Sequence, residues 1–487
     1  MISNKYSMNN EKKWWHVYFG FFLICISLSL FMILLTTRFN VIAISILVGL
    51  IISILILFKP EMGVLGSILL TMVFSPLTTL YVHVVFFNIY AIEGLLTITI
   101  MSVIINNITY PKKYNLEVLS YILIVGFILY GFVPLVVGMK NNGFQIAFNE
   151  YRRIMPMVVF VFIIPAIFNS YSKIIQVIVV ILLSGCINVI QLMFGYLIGE
   201  GKWNEVAGYT IIGSSQAIFI AYSVLLSIAI LMMVEKARFR KILWITCVIE
   251  IIFVIFSFSR AAWLGTFAGI FMLYFYSDRK IKFIAITLGI FSFAVIAIYA
   301  AELGGYTSNF PVIKTTIDRA VKLGSEATYF TDRNILIREA MWMKGIEMIK
   351  QKPFFGWGFG YPWDFWVPTV ATGRPEYLRL HSTFIDMAIS MGLIGFLYWA
   401  TIVIKYFMLG LKKIKEIKIH SLKACLLGIL SCFLVFLVSY STGSAMEQFY
   451  LFPYLWIFPG IIIAIYKVSC GKPNKIIKIN NERYEND

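Results

Sequence analysis

The chain has 487 residues, of which 60% are hydrophobic and 13% charged, and its formal net charge is +17. Soluble domains carry roughly 45–50% apolar and about 25% charged residues, so a soluble enzyme is excluded. The basic excess is not a nucleic-acid footprint, because the lysines cluster in short loops between apolar runs, a pattern that reports orientation in a bilayer.

Taken in chain order, the apolar runs predict an integral membrane protein. Trp15–Leu35, Phe283–Ala301 and Phe449–Tyr466 each approach the length of about 20 residues that a helix needs to cross hydrocarbon. Lipid supplies no hydrogen bonds, so the backbone must satisfy itself in helices or in a closed barrel. Runs this long exclude the barrel, whose strands are about 10 residues and alternate in polarity. The predicted spans are 15–35, 41–58, 62–81, 84–105, 116–138, 154–169, 174–198, 212–234, 242–258, 261–276, 283–301, 382–409, 421–440 and 449–466, fourteen in all. The first is too long for a signal-peptide core and lacks a small-residue cleavage site, so it reads as an uncleaved span.

Lys5, Lys12 and Lys13 put the amino terminus on the cytoplasmic side. Counting spans then puts Lys112 and Lys113 there, with Lys236, Arg238, Arg240 and Lys241, and with Arg279, Lys280 and Lys282. Lys412, Lys413, Lys415 and Lys418 follow, as does the Lys-rich tail. Every dense basic cluster falls on one side, as a consistent span count requires. The expected organisation is a transmembrane bundle over 1–301, an extracytoplasmic subdomain over 302–381, further spans over 382–466 and a cytoplasmic tail over 467–487.

The outer segment is too long for a structureless connection. It is also rich in aromatics, with Trp342, Trp357, Trp363 and Trp366, whereas disordered segments are poor in them. A helix is expected over Asn334–Lys350, capped by Thr331 or Asp332 and stopped by Pro353, with Ile335, Met341, Trp342 and Ile346 on its apolar side. Gly356, Gly358 and Gly360 mark a turn.

Few residues qualify for chemistry. Of the four histidines, His381 alone ends the outer segment where a span begins, and imidazole titrates near neutral pH. Arg260 lies between two apolar runs with no polar loop, where an arginine is expensive. Arg338 precedes Trp342 by one turn of the outer helix, and Arg152 and Arg153 stand just before the sixth span. The outer segment adds Arg333, Arg374 and Arg379. So many arginines on the face normally poor in them point to a bound anion, for which the guanidinium fork suits phosphate. Each has a plainer reading: a helix cap for His381, snorkelling for Arg260, a solvated helix face for Arg338. The six cysteines show no metal spacing, no ligand set fits a metal, and no P-loop, nucleophile elbow or dinucleotide fingerprint occurs. Glu93 and Glu250, at or inside spans, keep coupled transport open as a competing class.

Several motifs follow one another on the outer face: Ser259-Arg260-Ala261-Ala262-Trp263, then Arg338-Glu339-Ala340-Met341-Trp342, then Pro353-Phe354-Phe355-Gly356-Trp357-Gly358-Phe359-Gly360, then His381-Ser382-Thr383-Phe384 and Gly392-Leu393-Ile394-Gly395. Their order over about 255–400 resembles the O-antigen ligase and Wzy-type polymerase family of bacterial membrane glycosyltransferases. The resemblance implies an all-α polytopic fold of the GT-C-like membrane glycosyltransferase type, in the cytoplasmic membrane with both termini inside. It implies a donor glycan on undecaprenyl pyrophosphate, a glycan or lipid acceptor, no metal or cofactor, and a flippase and a chain-length regulator as partners. Arg260 and Arg338 would bind the pyrophosphate, and His381 would take the acceptor's proton. Arg152, Arg153, Arg379 and Trp342 would complete the substrate surface. The family often has Asn after the histidine; here it is Ser382. Repeat-unit polymerase is the leading expectation, with ligase-type transfer to a lipid, protein or wall acceptor second and a transporter or flippase third.

Overall fold

The computed structural model describes residues 49, 51–73, 81–84, 87–109, 122–197, 202–204, 208–210, 214–231, 237–255, 257, 259–276, 333–361, 365–368, 375–378, 380–443, 446 and 451–470. The spans expected at 15–35 and 283–301, half of that at 41–58, the caps Thr331 and Asp332, and Arg374, Arg379 and Trp363 lie outside the described residues. The chain divides into two units, Met1–Phe58 and Lys59–Asp487. The first is described only near its end, where residues 51–58 are helical.

The second unit is predominantly helical. Its helices are α1 (Pro60–Val73), α2 (Ala91–Thr109), α3 (Ile122–Tyr130), α4 (Phe132–Asn142), α5 (Phe144–Ile154), α6 (Phe160–Ile167), α7 (Tyr171–Leu197), α8 (Ser214–Leu231), α9 (Ala237–Ile255), α10 (Arg260–Tyr276), α11 (Arg333–Gln351), α12 (Thr383–Ile414), α13 (His420–Ser441) and α14 (Tyr454–Cys470). Among the described residues, three antiparallel hairpins sit between them: β1 (Tyr81–Val84) with β2 (Phe87–Tyr90), β3 (Lys202–Asn204) with β4 (Gly208–Thr210), and β5 (Phe365–Pro368) with β6 (Pro375–Leu378).

Among the described residues, five stretches are long and apolar enough to cross a membrane: Ala91–Ile108, Ile122–Asn142, Tyr171–Phe194, Thr383–Ile414 and His420–Ser441. Pro60–Val73, Ser215–Leu231 and Tyr454–Cys470 are shorter apolar helices. Leu129, Val136, Ile190, Phe267 and Phe271 point outward, as apolar side chains do toward lipid. Polar residues inside the helices bind their own turn: the hydroxyls of Ser67, Thr71, Ser184 and Ser431 donate to the carbonyl four residues earlier.

The core forms around α13, which packs on α8, α10, α12 and α14. Tyr222, Phe433, Phe436, Tyr454 and Phe458 are fully buried there. Small residues allow the closest approaches. A Cβ at Gly265 would meet the Ser439 hydroxyl, and one at Gly269 would meet Leu225. This is how membrane helices associate when no hydrophobic gain separates protein from lipid.

The structure departs from the sequence expectations in four places. Residues 81–90, read as the end of one span and the start of the next, form the β1–β2 hairpin, and the following helix begins only at Ala91. Its aromatic and β-branched residues favour a strand, and hydropathy alone does not separate a short apolar strand from a helix. The residues before the sixth span form the amphipathic helix α5, and that span starts as a 3-10 turn over Met155–Val159, where Pro156 removes a donor. The outer helix appears as α11, but Ile346 is exposed; the buried stripe is Met341, Gly345 and Met348. Finally, α12 runs on to Ile414 and is broken at Gly392.

Candidate functional site

The start of α12 is held from two sides. His381 has φ +49°, the one positive φ at a non-glycine among the described residues. The left-handed region costs an L-residue about 1–2 kcal/mol, so the neighbours must impose it. On one side, buried Leu380 belongs to a cluster with Met341, Met348, Tyr361 and Ile389. Its carbonyl accepts the indole N–H of Trp342 at 3.1 Å. On the other side, Thr383 donates its main-chain N–H (3.0 Å) and its hydroxyl (3.2 Å) to the carbonyl of Gly443. Ser382, buried, is the residue before the first turn. The reading of His381 as the helix cap is therefore replaced: Ser382 holds that position, and the half-buried His381 lies just before it.

Arg338 and Trp342 stand one turn apart on α11, so the Trp342–Leu380 bond brings the arginine's helix beside His381. Arg260 reaches the same region by another route. The Ser259 hydroxyl accepts the N–H of Ala262 at 3.3 Å and caps α10. The Trp263 indole donates to the carbonyls of Val254 and Ile255, closing the end of α9. Beside Arg260, the carbonyl of Ala261 accepts the Ser439 hydroxyl at 2.9 Å. Ser439 lies in the last turn of α13, and Gly443 lies just past its last residue, Ser441. The end of α13 thus joins the start of α10, which carries Arg260, to the start of α12, which follows His381.

Two helix N-termini therefore meet at one end of the bundle, with arginines on α10 and α11. Each N-terminus carries roughly half a positive charge. An arginine in a first turn is unfavourable unless an anion is near, and an anion is what such a place binds. The acidic counterweight is Asp386, fully buried in the first turn of α12, whose Oδ1 accepts the Tyr361 hydroxyl at 2.9 Å.

Tyr361 ends the glycine-rich turn. Gly356, Gly358 and Gly360 all have φ between +71° and +82°, a region that only glycine enters freely. The turn docks where α12 is broken. Gly392 (φ +69°) interrupts the helix, and the main chain of the turn takes over the exposed groups. Trp357 N–H donates to Ile389 O (2.8 Å), Gly358 N–H to Ser390 O (3.1 Å), and Leu393 N–H to Pro353 O (2.7 Å). On its far side, Phe359 N–H donates to Pro134 O at 2.9 Å, and the Asn142 amide donates to Phe359 O at 3.1 Å. Trp357 is tied inward, its indole donating to Met348 O at 3.0 Å.

Arg152 and Arg153 form a separate cluster. Arg152 pairs with Glu93 at 3.0 Å, and the same carboxylate oxygen accepts the N–H of Tyr90. Arg153 bonds the Tyr90 hydroxyl and lies 4.8 Å from that ring's centre. These contacts fasten α5 to the β1–β2 hairpin. Glu150 of α5 accepts the N–H of Gly360, which links this cluster to the glycine-rich turn. Among the described residues no three His, Cys, Asp or Glu side chains gather as a metal site.

Sequence reasoning missed Asp386, Tyr361, Ser439 and Gly443. Asp386 had a signal, since an acid inside an apolar span is rarely idle. Ser439 and Gly443 had none.

Residues 245–400 match the family model described as O-Antigen ligase. No curated protein matches the chain. The matched stretch contains Arg260, Arg338, Trp342, His381 and Asp386, together with the glycine-rich turn and Gly392.

Proposed function

We propose that this chain, an O-antigen ligase family protein by its residues 245–400, is a glycosyltransferase that polymerises undecaprenyl-pyrophosphate-linked repeat units on the outer face of the bacterial cytoplasmic membrane. The observation that carries this reading is the meeting of the α10 and α12 N-termini beside the end of α13, with Arg260, Arg338 and His381 on the elements joined there.

In this reading an acceptor hydroxyl oxygen forms a bond to the anomeric carbon of the donor, and the bond from that carbon to the pyrophosphate oxygen breaks. The hydroxyl proton passes to the imidazole of His381. The electron pair of the broken bond leaves on undecaprenyl pyrophosphate. Arg260 and Arg338 hold that group, so fixed positive charge stands where negative charge develops. Pyrophosphate leaves readily, so side-chain cations suffice, and neither metal nor nucleotide sugar enters. Arg379 and Trp342 belong to the wider substrate surface, whereas Arg152 and Arg153 are engaged by Glu93 and Tyr90. A GT-C-like fold of fourteen spans with both termini in the cytoplasm fits the reaction, with a flippase to supply donor and a regulator to set chain length.

Ligase-type transfer uses the same chemistry with a lipid, protein or wall polymer as acceptor. One observation favours a transporter as the second reading. Glu250 is buried within α9, its Oε1 accepting the Ser223 hydroxyl at 2.6 Å, and its Oε2 has no partner among the described residues. Coupled transport uses such acids.

The test supplies purified protein with a synthetic undecaprenyl-pyrophosphate repeat unit and follows product length for the wild type, Arg260→Ala, Arg338→Ala and His381→Ala. A ladder that the arginine variants lose supports polymerisation. Lipid release without a ladder supports ligation. No turnover by folded wild type, with variants that still support glycan assembly in cells, overturns both and favours transport.

A further inference from the structure

The glycine-rich turn carries two large apolar side chains that its own core does not use. Phe354 is 66% exposed and Phe355 is 52% exposed, while the cluster beneath them is Met341, Met348, Tyr361, Leu380 and Ile389. Leaving such rings in water forgoes the gain that burying them would bring.

Their height along the bundle is fixed by the main chain. Leu393 N–H donates to Pro353 O at 2.7 Å, and a Cβ at Gly392 would run into the main chain of Phe354. Both rings therefore sit level with the break in α12. The nineteen steps from Leu393 to Lys412 rise about 29 Å, close to the thickness of the hydrocarbon core. Lys412 and Lys413 mark the far end of that segment. Leu393, Ile394 and Leu397 turn outward at its near end, Leu397 with 61% exposure. The segment after the break is thus long enough to cross a bilayer by itself, and the break falls at the hydrocarbon boundary.

Aromatic rings and lysines are the side chains that settle at such a boundary. Both are here. Lys350 is exposed at the end of α11, and the Lys352 ammonium lies 3.9 Å over the Trp357 ring. Phe354 and Phe355 are exposed beside the break, and Leu393, Ile394 and Leu397 turn outward over the first turn after it.

We infer that Phe354 and Phe355 insert between the acyl chains of the bilayer and anchor the glycine-rich turn at its surface. The anchor sets the height of Tyr361 and Asp386, and so of the start of α12, relative to a lipid-borne substrate. That the leaflet is the outer one rests on the orientation proposed above. Contact with acyl chains is read without any glycan, so failure of either inference leaves the other standing.

The test places a nitroxide at Phe354→Cys or Phe355→Cys in the full chain, with Cys25 and Cys470 replaced by serine. The protein is reconstituted in phosphatidylethanolamine–phosphatidylglycerol vesicles. Relaxation by oxygen and by a water-soluble nickel chelate is compared with labels at Leu397→Cys and Glu416→Cys. The expected result is oxygen access exceeding nickel access, as at Leu397→Cys and opposite to Glu416→Cys. Nickel access exceeding oxygen access means water and overturns the inference. Access to neither means that protein covers the rings, a second copy included, and also overturns it. Should the cysteine variants not fold, wild type in vesicles with a diazirine fatty acyl lipid is irradiated and digested. Adducts on the 353–360 peptide are then expected, and their absence overturns the inference.

Discussion

The indole N–H of Trp342 donates to the main-chain oxygen of Leu380 at 3.1 Å, and this bond joins α11 to the residue next to His381. It acts on a left-handed backbone that nothing local favours. Removing the donor therefore releases both the docking of α11 and the hold on His381.

Trp342→Phe keeps most of the ring and deletes the bond. A net hydrogen bond contributes about 1 kcal/mol, so a loss of transfer of roughly five-fold is expected, with a stability change of similar size. Trp342→His, which offers a ring N–H at a different reach, recovers little. Turnover of a lipid-linked donor and heat tolerance in detergent, followed by size-exclusion recovery, check both effects.

At Gly358 a side chain is excluded twice. Its φ is +82°, and a Cβ would overlap the main chain of Gly138 in α4. Gly358→Ala is expected to destabilise the fold by at least about 2 kcal/mol, and Gly138→Ala, which meets the main chain of Phe359, by a similar amount. Gly66→Ala, with nothing within 4 Å inside α1, is expected to be tolerated or to stabilise by up to about 1 kcal/mol. The three are compared by the recovered fraction after heating.

Tyr361→Phe removes the hydroxyl that donates to Asp386 in a fully buried place. The carboxylate then loses a partner, at a cost of about 1–3 kcal/mol. Asp386→Asn in the same background replaces the carboxyl with an amide that needs the Tyr361 hydroxyl less, and is expected to restore part of the lost stability. A double variant that costs the sum of the two single ones would show that the pair is not coupled.

These contacts also mark the limit of what the sequence reveals. The helix expected over Asn334–Lys350 forms as Arg333–Gln351, because a local pattern of apolar and charged residues ends at a proline. The three glycines were legible as a turn for the same reason. Their destination was not. Gly392 lies in an apolar run that continues as helix on both sides, and the hydrogen bonds from Trp357 and Gly358 that occupy its break come from more than thirty residues away. The β1–β2 hairpin was hidden because Tyr81–Tyr90 is as apolar as a span. Helix α5 was legible in principle, since Phe144, Ala147, Phe148 and Tyr151 repeat at helical spacing. Arg260 stood out as an arginine in a costly setting, Arg338 as one of several arginines on a face normally poor in them, and His381 as the histidine that ends the outer segment. That α13 joins two of their helices through Ser439 and Gly443 is a tertiary fact with no local trace.

Arg152 offers a sharper test, because its two readings predict different coupling. Its guanidinium pairs with Glu93 at 3.0 Å, and the two side chains are only 17% and 11% exposed. The Glu93 oxygen is held in turn by the N–H of Tyr90. If the pair serves to fasten α5 to the hairpin, Arg152→Met and Glu93→Gln each cost about 1–3 kcal/mol, because each leaves a partner half-satisfied. The double variant then costs less than the sum, and transfer follows stability across the set. If Arg152 also holds the donor, Arg152→Met lowers transfer in the Glu93→Gln background as well, beyond any change in stability, and raises the KM for the lipid-linked donor. Measuring recovered fold and KM across the four-member cycle separates the two. The closed ion pair leads us to expect the first result for Arg152. Arg260 and Arg338, on the elements that meet beside His381, are expected to give the second.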